Sequence, residues 1–85
     1  MPAYLVERYL PRSRAGDVAA EARRARDAAA SLAGEGCAVR YLRTTVLPDD
    51  ETCFHLFEAD SLDVVSHLCR RAGLQHARIA RAVEP

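Results

Sequence analysis

Three histidines and three cysteines are the first candidates for metal ligation or proton transfer in this sequence. His55 and Cys53 lie two residues apart in residues 52–58 (TCFHLFE), a run with the β-branched and aromatic residues typical of a strand. Side chains alternate between the two faces of a strand, so Cys53 and His55 share one face. Imidazole suits nickel, copper, zinc and general-base chemistry alike, and a deprotonated thiol adds a soft ligand.

Two charged residues are expected beside His55. Glu7 lies in the first apolar run of the chain and Arg43 in the second. In a metal site, the predicted ligands are His55, Glu7 and Cys53. In an enzyme, His55 exchanges a proton, Glu7 orients its ring, and Arg43 holds an anionic or carbonyl group of a substrate. The residue types leave both alternatives open.

The other candidates have simpler interpretations. His67 and His76 are expected on the surface, and Cys69 is expected in the apolar stripe of a helix. The acidic residues 49–51 are expected at a solvated turn, because they lack the ligand spacing of a calcium loop. No glycine-rich phosphate loop, serine elbow or HExxH motif is present in the sequence.

The order of elements predicts how these residues are positioned. Residues 3–9, 37–46, 52–58 and 78–84 have strand character, and helices are expected after Asp17 and after Asp60 or Ser61. The first helix carries a stripe of Val18, Ala22, Ala25, Ala29 and Leu32, and the second carries Val65, Leu68, Cys69 and Ala72. The order β-α-β-β-α-β predicts an α+β, ferredoxin-like fold with two helices on one face of an antiparallel sheet. One such domain accounts for residues 1–85.

The face of the sheet without helices needs another occupant. Phe54, Leu56 and Leu42 are expected to face the helices. The open face then carries Cys53, His55, Arg43 and an aromatic group of Tyr9, Tyr41 and Phe57, with Leu5 and Glu7 beside them. Such a face resembles a pocket wall or the interior of a dimeric α/β barrel. The expected partners are a second copy, bound through this face, and a small-molecule ligand.

Charge and composition exclude several classes of partner. Twelve basic residues, all arginine, balance twelve acidic residues in 85, so the formal net charge is zero. There is no excess of positive charge to attract nucleic acid or an anionic membrane, and neither is expected as a partner. No apolar stretch reaches the roughly 18 residues of a membrane span. The cysteines are odd in number, without a CxxC pair, so reduced thiols and a cytoplasmic location are expected.

Three segments resemble a family of small actinobacterial nickel-binding proteins: residues 4–8 (YLVER), 39–44 (VRYLRT) and 69–74 (CRRAGL), followed by Ile79. The resemblance implies a ferredoxin-like dimer that binds divalent nickel. The family pattern has histidines where this chain has Arg43 and Leu68, and a cysteine where it has His55. The first functional expectation is therefore a nickel-binding protein. The alternatives are an enzyme or ligand-binding accessory protein of small-molecule metabolism, and a structural interaction module.

Overall fold

The computed structural model describes residues 1–83, which form four strands, two α-helices and two short 3-10 helices. The strands and α-helices are β1 (Ala3–Tyr9), α1 (Val18–Gly34), β2 (Val39–Leu47), β3 (Thr52–Ala59), α2 (Leu62–Ala72) and β4 (Arg78–Ala82). The 3-10 helices span Arg12–Asp17 and Pro48–Asp50. The last strand was expected to reach Glu84, which lies outside the described residues.

The four strands form one antiparallel sheet in the order β2-β3-β1-β4. The first and third strands are central, as the βαββαβ order predicts, and the ferredoxin-like fold is confirmed. Both α-helices pack on the same face of this sheet, where their apolar stripes and the strands enclose the core. No helix within residues 1–83 is long and apolar enough to cross a membrane.

Helix α2 follows its sequence signals closely. The Ser61 hydroxyl accepts a hydrogen bond from the backbone N–H of Val64 at 3.4 Å, which caps the amino end. Gly73 adopts the left-handed conformation with φ of 72°, and the N–H of Leu74 donates to the Cys69 carbonyl at 2.8 Å. The predicted stripe of this helix is buried in full, at Val65, Leu68, Cys69 and Ala72.

Helix α1 differs from its prediction at the amino end. Asp17 occupies the N-cap position, but its side chain accepts from Arg14 Nε at 2.9 Å and not from a helix amide. Val18 and Ala22 are only half-buried. The buried stripe consists of Glu21, Ala25, Ala28, Ala29 and Leu32. Most of this stripe is alanine, and small side chains allow a helix to approach its sheet closely.

The structure reverses the predicted faces of β3. His55 pairs with Val6 and Phe57 pairs with Tyr4, so these side chains share one face. Val6, His55 and Phe57 are completely buried, as is Cys53, and they point toward the helices. The prediction that Cys53, His55 and Phe57 lie on the open face was therefore wrong. Both alternating sets of β3 contain large apolar side chains, so the alternation itself did not identify the inner face.

The open face carries the other set of side chains. Leu5 pairs with Leu56 and Glu7 pairs with Phe54, so these four residues share the face without helices. Phe54 and Leu56 were expected to face the helices, and this expectation was wrong. The placement of Leu5, Glu7 and Tyr9 on the open face is correct, and Tyr9 is 72% exposed.

A β-bulge explains the error on strand β2. Tyr41 pairs with Phe57, whereas Arg43 pairs with the preceding position of β3, Leu56, so Leu42 is left without a partner. Leu42, expected to face the helices, is this extra residue. Because the extra residue interrupts the alternation, Tyr41 lies on the helix side, and its ring meets that of Phe57 edge-on with centroids 5.8 Å apart. The prediction that Tyr41 lies on the open face was wrong, and that for Arg43 is correct.

Candidate metal centre

Three potential ligands from two layers of the fold meet beneath helix α1. Glu21 lies in the first turn of α1, and Cys53 and His55 lie on the inner face of β3. One carboxylate oxygen, one thiol sulfur and one imidazole nitrogen all lie within 4.8 Å of one another. We refer to Glu21, Cys53 and His55 as the buried triad. Within residues 1–83, no other group of three or more His, Cys, Asp or Glu side chains is this close.

His55 is the centre of the buried triad. Its Nε2 atom lies 2.7 Å from Glu21 Oε2 and 3.8 Å from Cys53 Sγ. Its Nδ1 atom lies 2.8 Å from the Thr44 hydroxyl, which is 2.7 Å from the Tyr41 hydroxyl. Both ring nitrogens are thus engaged, and the imidazole is fixed in orientation although no part of it contacts solvent.

Hydrogen bonds from His55 and Arg8 keep the side chain of Glu21 in its ionised form. The hydrogen bond with His55 is the main reason that the pKa of Glu21 is lowered from 4.5 to about 2, and burial acts in the opposite direction. Arg8 contributes further, because its NH2 group donates to Glu21 Oε1 at 2.9 Å. The same guanidinium also donates to the backbone carbonyl of Gln75. The carboxylate therefore remains ionised at neutral pH although the residue is only 8% exposed.

Cys53 is protonated under the same conditions. Burial is the main cause that raises the pKa of its thiol to about 11, and the negative charge of Glu21 raises it further. The Cys53 thiol is consequently a poor nucleophile in this structure, since the thiolate is the reactive form. Burial likewise raises the pKa of Cys69, in the stripe of α2, to about 11.

The hydrogen bonds within this cluster are complete. Among the described residues, no buried side-chain nitrogen or oxygen lacks a hydrogen-bond partner. The buried triad is therefore a satisfied polar network without an ion, in which Arg8 balances the charge of Glu21. Its donor atoms, imidazole nitrogen, carboxylate oxygen and thiol sulfur, are those that bind divalent nickel, copper and zinc in proteins.

Two of the residues predicted beside His55 lie apart from it. Cys53 and His55 are brought together as expected, but Glu7 lies on the open face, where its carboxylate accepts from Arg78 NH1 at 3.3 Å. Glu7 was the wrong acidic neighbour for His55. Arg43 and His55 lie on opposite faces, so the expected pocket shared by these two residues is not formed.

Glu21, the acidic residue that does contact His55, was not predicted from the sequence. A signal for it is present in the spacing: residues 21, 25, 28 and 32 follow intervals of four, three and four, so Glu21 continues the stripe of Ala25, Ala28 and Leu32. A carboxylate at a stripe position must be buried, and a buried carboxylate needs a partner. Thr44 and Arg8 were also missed, because their contacts depend on strand pairing. Tyr41 was predicted as a pocket residue, but its link to His55 through the Thr44 hydroxyl was not.

Comparison with known protein families gives one informative match. The model of the SCO4226-like family, described as "Nickel responsive protein SCO4226-like", matches residues 4–81, and the chain belongs to this family. Neither comparison with curated proteins nor comparison with solved structures gives a significant match.

Proposed function

We propose that this member of the nickel responsive family binds a divalent transition metal, nickel foremost, at the buried triad of Glu21, Cys53 and His55. The observation that carries the proposal is the convergence of three different ligand atoms within 4.8 Å in a chain of this family. Binding by His55 and Cys53 was predicted from the sequence, and Glu21 replaces Glu7 as the third ligand. A bound metal supplies a positive charge that fixes these three side chains together.

His55 can present its Nε2 lone pair without losing its second hydrogen bond. The Thr44 hydroxyl either donates to Nδ1 or accepts from it, and Tyr41 can do the same toward Thr44. The imidazole can therefore move its hydrogen to Nδ1 and still be held by Thr44. This is the arrangement by which a second hydrogen bond orients a histidine ligand.

The other two side chains make binding dependent on proton release. The Cys53 thiol, with its pKa of about 11, must lose a proton before its sulfur can ligate. Glu21 is already ionised, but Arg8 shares its carboxylate and opposes a second cation there. Metal affinity should accordingly rise with pH, and binding should release protons to the buffer.

Titration calorimetry of tag-free protein with nickel, copper and zinc tests the proposal. We expect saturable binding tighter than about 1 mM, with a heat that changes with the ionisation enthalpy of the buffer. Cys53→Ser keeps the size of the side chain and should weaken binding and abolish any sulfur-to-metal charge-transfer absorption. His67→Ala, at an exposed position of α2, is the matched control and should leave binding unchanged. Equal loss in both variants, or no binding below about 1 mM, would contradict the proposal.

We also propose that the open face binds a second copy of the chain. Its centre is apolar, with Leu5, Phe54 and Leu56 around a shallow depression of about 290 Å³. The face carries charges of both signs, Glu7 and Arg43 among them, and the chain has zero net charge, so two identical faces do not repel each other. This proposal keeps the predicted homodimer and Tyr9 on its face, but Tyr41 and Phe57, first assigned to the interface, lie on the helix side.

Sedimentation equilibrium at micromolar concentration tests the dimer. The unmodified chain should have a mass near twice 9.4 kDa. Phe54→Glu places a charge at the centre of the face and should shift the protein to the monomer while its circular dichroism stays unchanged. A 9.4 kDa species for the unmodified chain would refute the proposal.

A further inference from the structure

A cleft lies at the end of β1, away from the apolar centre of the open face. It has a volume of about 410 Å³ and is formed by the end of β1, the first 3-10 helix, the first turns of α1 and the loop between α2 and β4. This volume is in the range of small-molecule sites, which is about 300–1,000 Å³. The residues that line it are Arg8, Tyr9, Leu10, Pro11, Arg14, Glu21, Arg24, Gln75 and His76.

Positive charge is concentrated in this cleft although the chain as a whole is neutral. Three guanidinium groups line it, against the single carboxylate of Glu21. Both oxygens of that carboxylate are already used, by Arg8 and by His55. Arg14 is paired with Asp17, and Arg24 has no ion-pair partner within residues 1–83. The lining therefore presents a net positive potential to a ligand.

Two of these arginines are positioned with their terminal nitrogens available. Arg24 Nε donates to the Ala72 carbonyl at 3.1 Å, and Arg14 Nε donates to Asp17 at 2.9 Å. Each contact fixes the side chain through Nε, and neither guanidinium uses NH1 or NH2 in a hydrogen bond to another described residue. A guanidinium with both terminal nitrogens available binds the two oxygens of a carboxylate or phosphate in parallel.

One residue of the lining has an unusual backbone conformation. His76 has a φ of 58°, which a residue with a side chain adopts at an energetic cost. The preceding residue, Gln75, is tied to β1 because its carbonyl accepts a hydrogen bond from Arg8. The loop thus contributes His76 to the lining of the cleft.

We infer that this cleft binds a small oxyanion, a polycarboxylate or a phosphate, with Arg24 and Arg14 as the residues that contact it. The positive charge, the available NH groups and the size of the cleft all favour such a ligand. Arg8 contributes charge but not contacts, because its nitrogens are engaged with Glu21 and Gln75. The inference goes beyond the metal site, since it requires no metal.

Calorimetric titration of chelator-treated protein with citrate and with inorganic phosphate, at fixed ionic strength in chloride, tests the inference. We expect saturable binding of at least one of the two anions. Arg24→Gln should weaken it about tenfold or more, the effect of losing one charge-assisted hydrogen bond. Arg23→Gln removes the same charge from the neighbouring exposed position of α1, outside the cleft lining, and should leave the affinity unchanged.

The outcomes separate the sources of the ligand chemistry. Binding of citrate alone indicates a carboxylate ligand, and binding of phosphate alone indicates a phosphate ligand. If neither anion saturates the protein at about 50 mM, a concentration well above the dissociation constants of ordinary ligands, the inference is overturned. An equal loss in Arg23→Gln, which indicates unspecific attraction, would also overturn it. If Arg24→Gln does not fold, Arg14→Gln, at an exposed position of the 3-10 helix, should show the same loss.

Discussion

Replacing Glu21 by glutamine should remove a defined part of the acid sensitivity of this protein. The pKa of Glu21 is lowered from 4.5 to about 2 in the folded chain, chiefly by the hydrogen bond from His55 and then by Arg8. A group whose pKa is lowered on folding stabilises the fold above its unfolded pKa, and this stability is lost as the pH falls toward the folded value. Each tenfold change in a protonation equilibrium corresponds to about 1.36 kcal/mol, so Glu21 contributes about 3 kcal/mol at neutral pH.

Urea unfolding of metal-free protein between pH 7 and pH 2 measures this contribution. The free energy of unfolding of the unmodified chain should exceed that of Glu21→Gln at pH 7. The difference should shrink by about 3 kcal/mol as the pH falls from 4.5 toward 2. Subtracting the two curves cancels the other carboxylates, which titrate in both proteins. A difference that stays constant over this range would refute the account of Glu21.

The matched control is Glu35→Gln. Glu35 also has a lowered pKa, through its hydrogen bond with Arg71, but this pair is on the surface. Solvent screens such pairs, so the corresponding difference should change much less with pH. An equal response of the two variants would show that burial of Glu21 beside His55 has no special effect.

Two further predictions follow from the placement of side chains. Phe57→Ala should lower the free energy of unfolding by about 3–5 kcal/mol, because Phe57 is fully buried. Phe54→Ala, at a half-buried position, should lower it by less than half as much. Urea titrations measure both, and a larger effect at Phe54 would contradict the face assignment. Iodoacetamide should modify the half-buried Cys37 well before Cys53, because the Cys53 thiol is buried and has a pKa of about 11. Mass spectrometry of peptides after timed quenching measures the two rates, and comparable rates would argue against the buried position of Cys53.

The fold was predictable from local patterns because each element carries its own signals. The stripe of Val65, Leu68 and Cys69, the cap at Ser61 and the left-handed Gly73 all lie within one helix and need no knowledge of the rest of the chain. The strand order then follows from the chirality of the connections. The sequence did not determine which face of each strand is buried. On β3, for example, Phe54 and Phe57 lie on opposite faces, so either face carries an aromatic side chain that could pack against the helices.

The site was predictable only in part for the same reason. Cys53 and His55 share a face of β3 whichever face is buried, so the prediction that they lie together is correct although the predicted face was wrong. The prediction of their partners was wrong, because the buried face of β3 meets Glu21 of α1, whereas Glu7 and Arg43 lie on the opposite face of the sheet. The bulge at Leu42 is a property of strand pairing, and an alternation of apolar residues along one strand contains no record of it.

The alanines of α1 act as a spacer that sets the dimensions of the buried triad. Ala25, Ala28 and Ala29 lie between the helix backbone and the sheet, and Glu21 Oε2 spans the same gap to reach His55 Nε2 at 2.7 Å. Larger side chains at these positions would push α1 away from the sheet and lengthen the contact between the carboxylate and the imidazole. Substitutions at these alanines can therefore change the chemistry of the triad while every one of its residues is retained. A relative that keeps all three triad residues but has larger side chains at positions 25, 28 and 29 would therefore differ in the chemistry of this site, and the volumes at these positions would identify it.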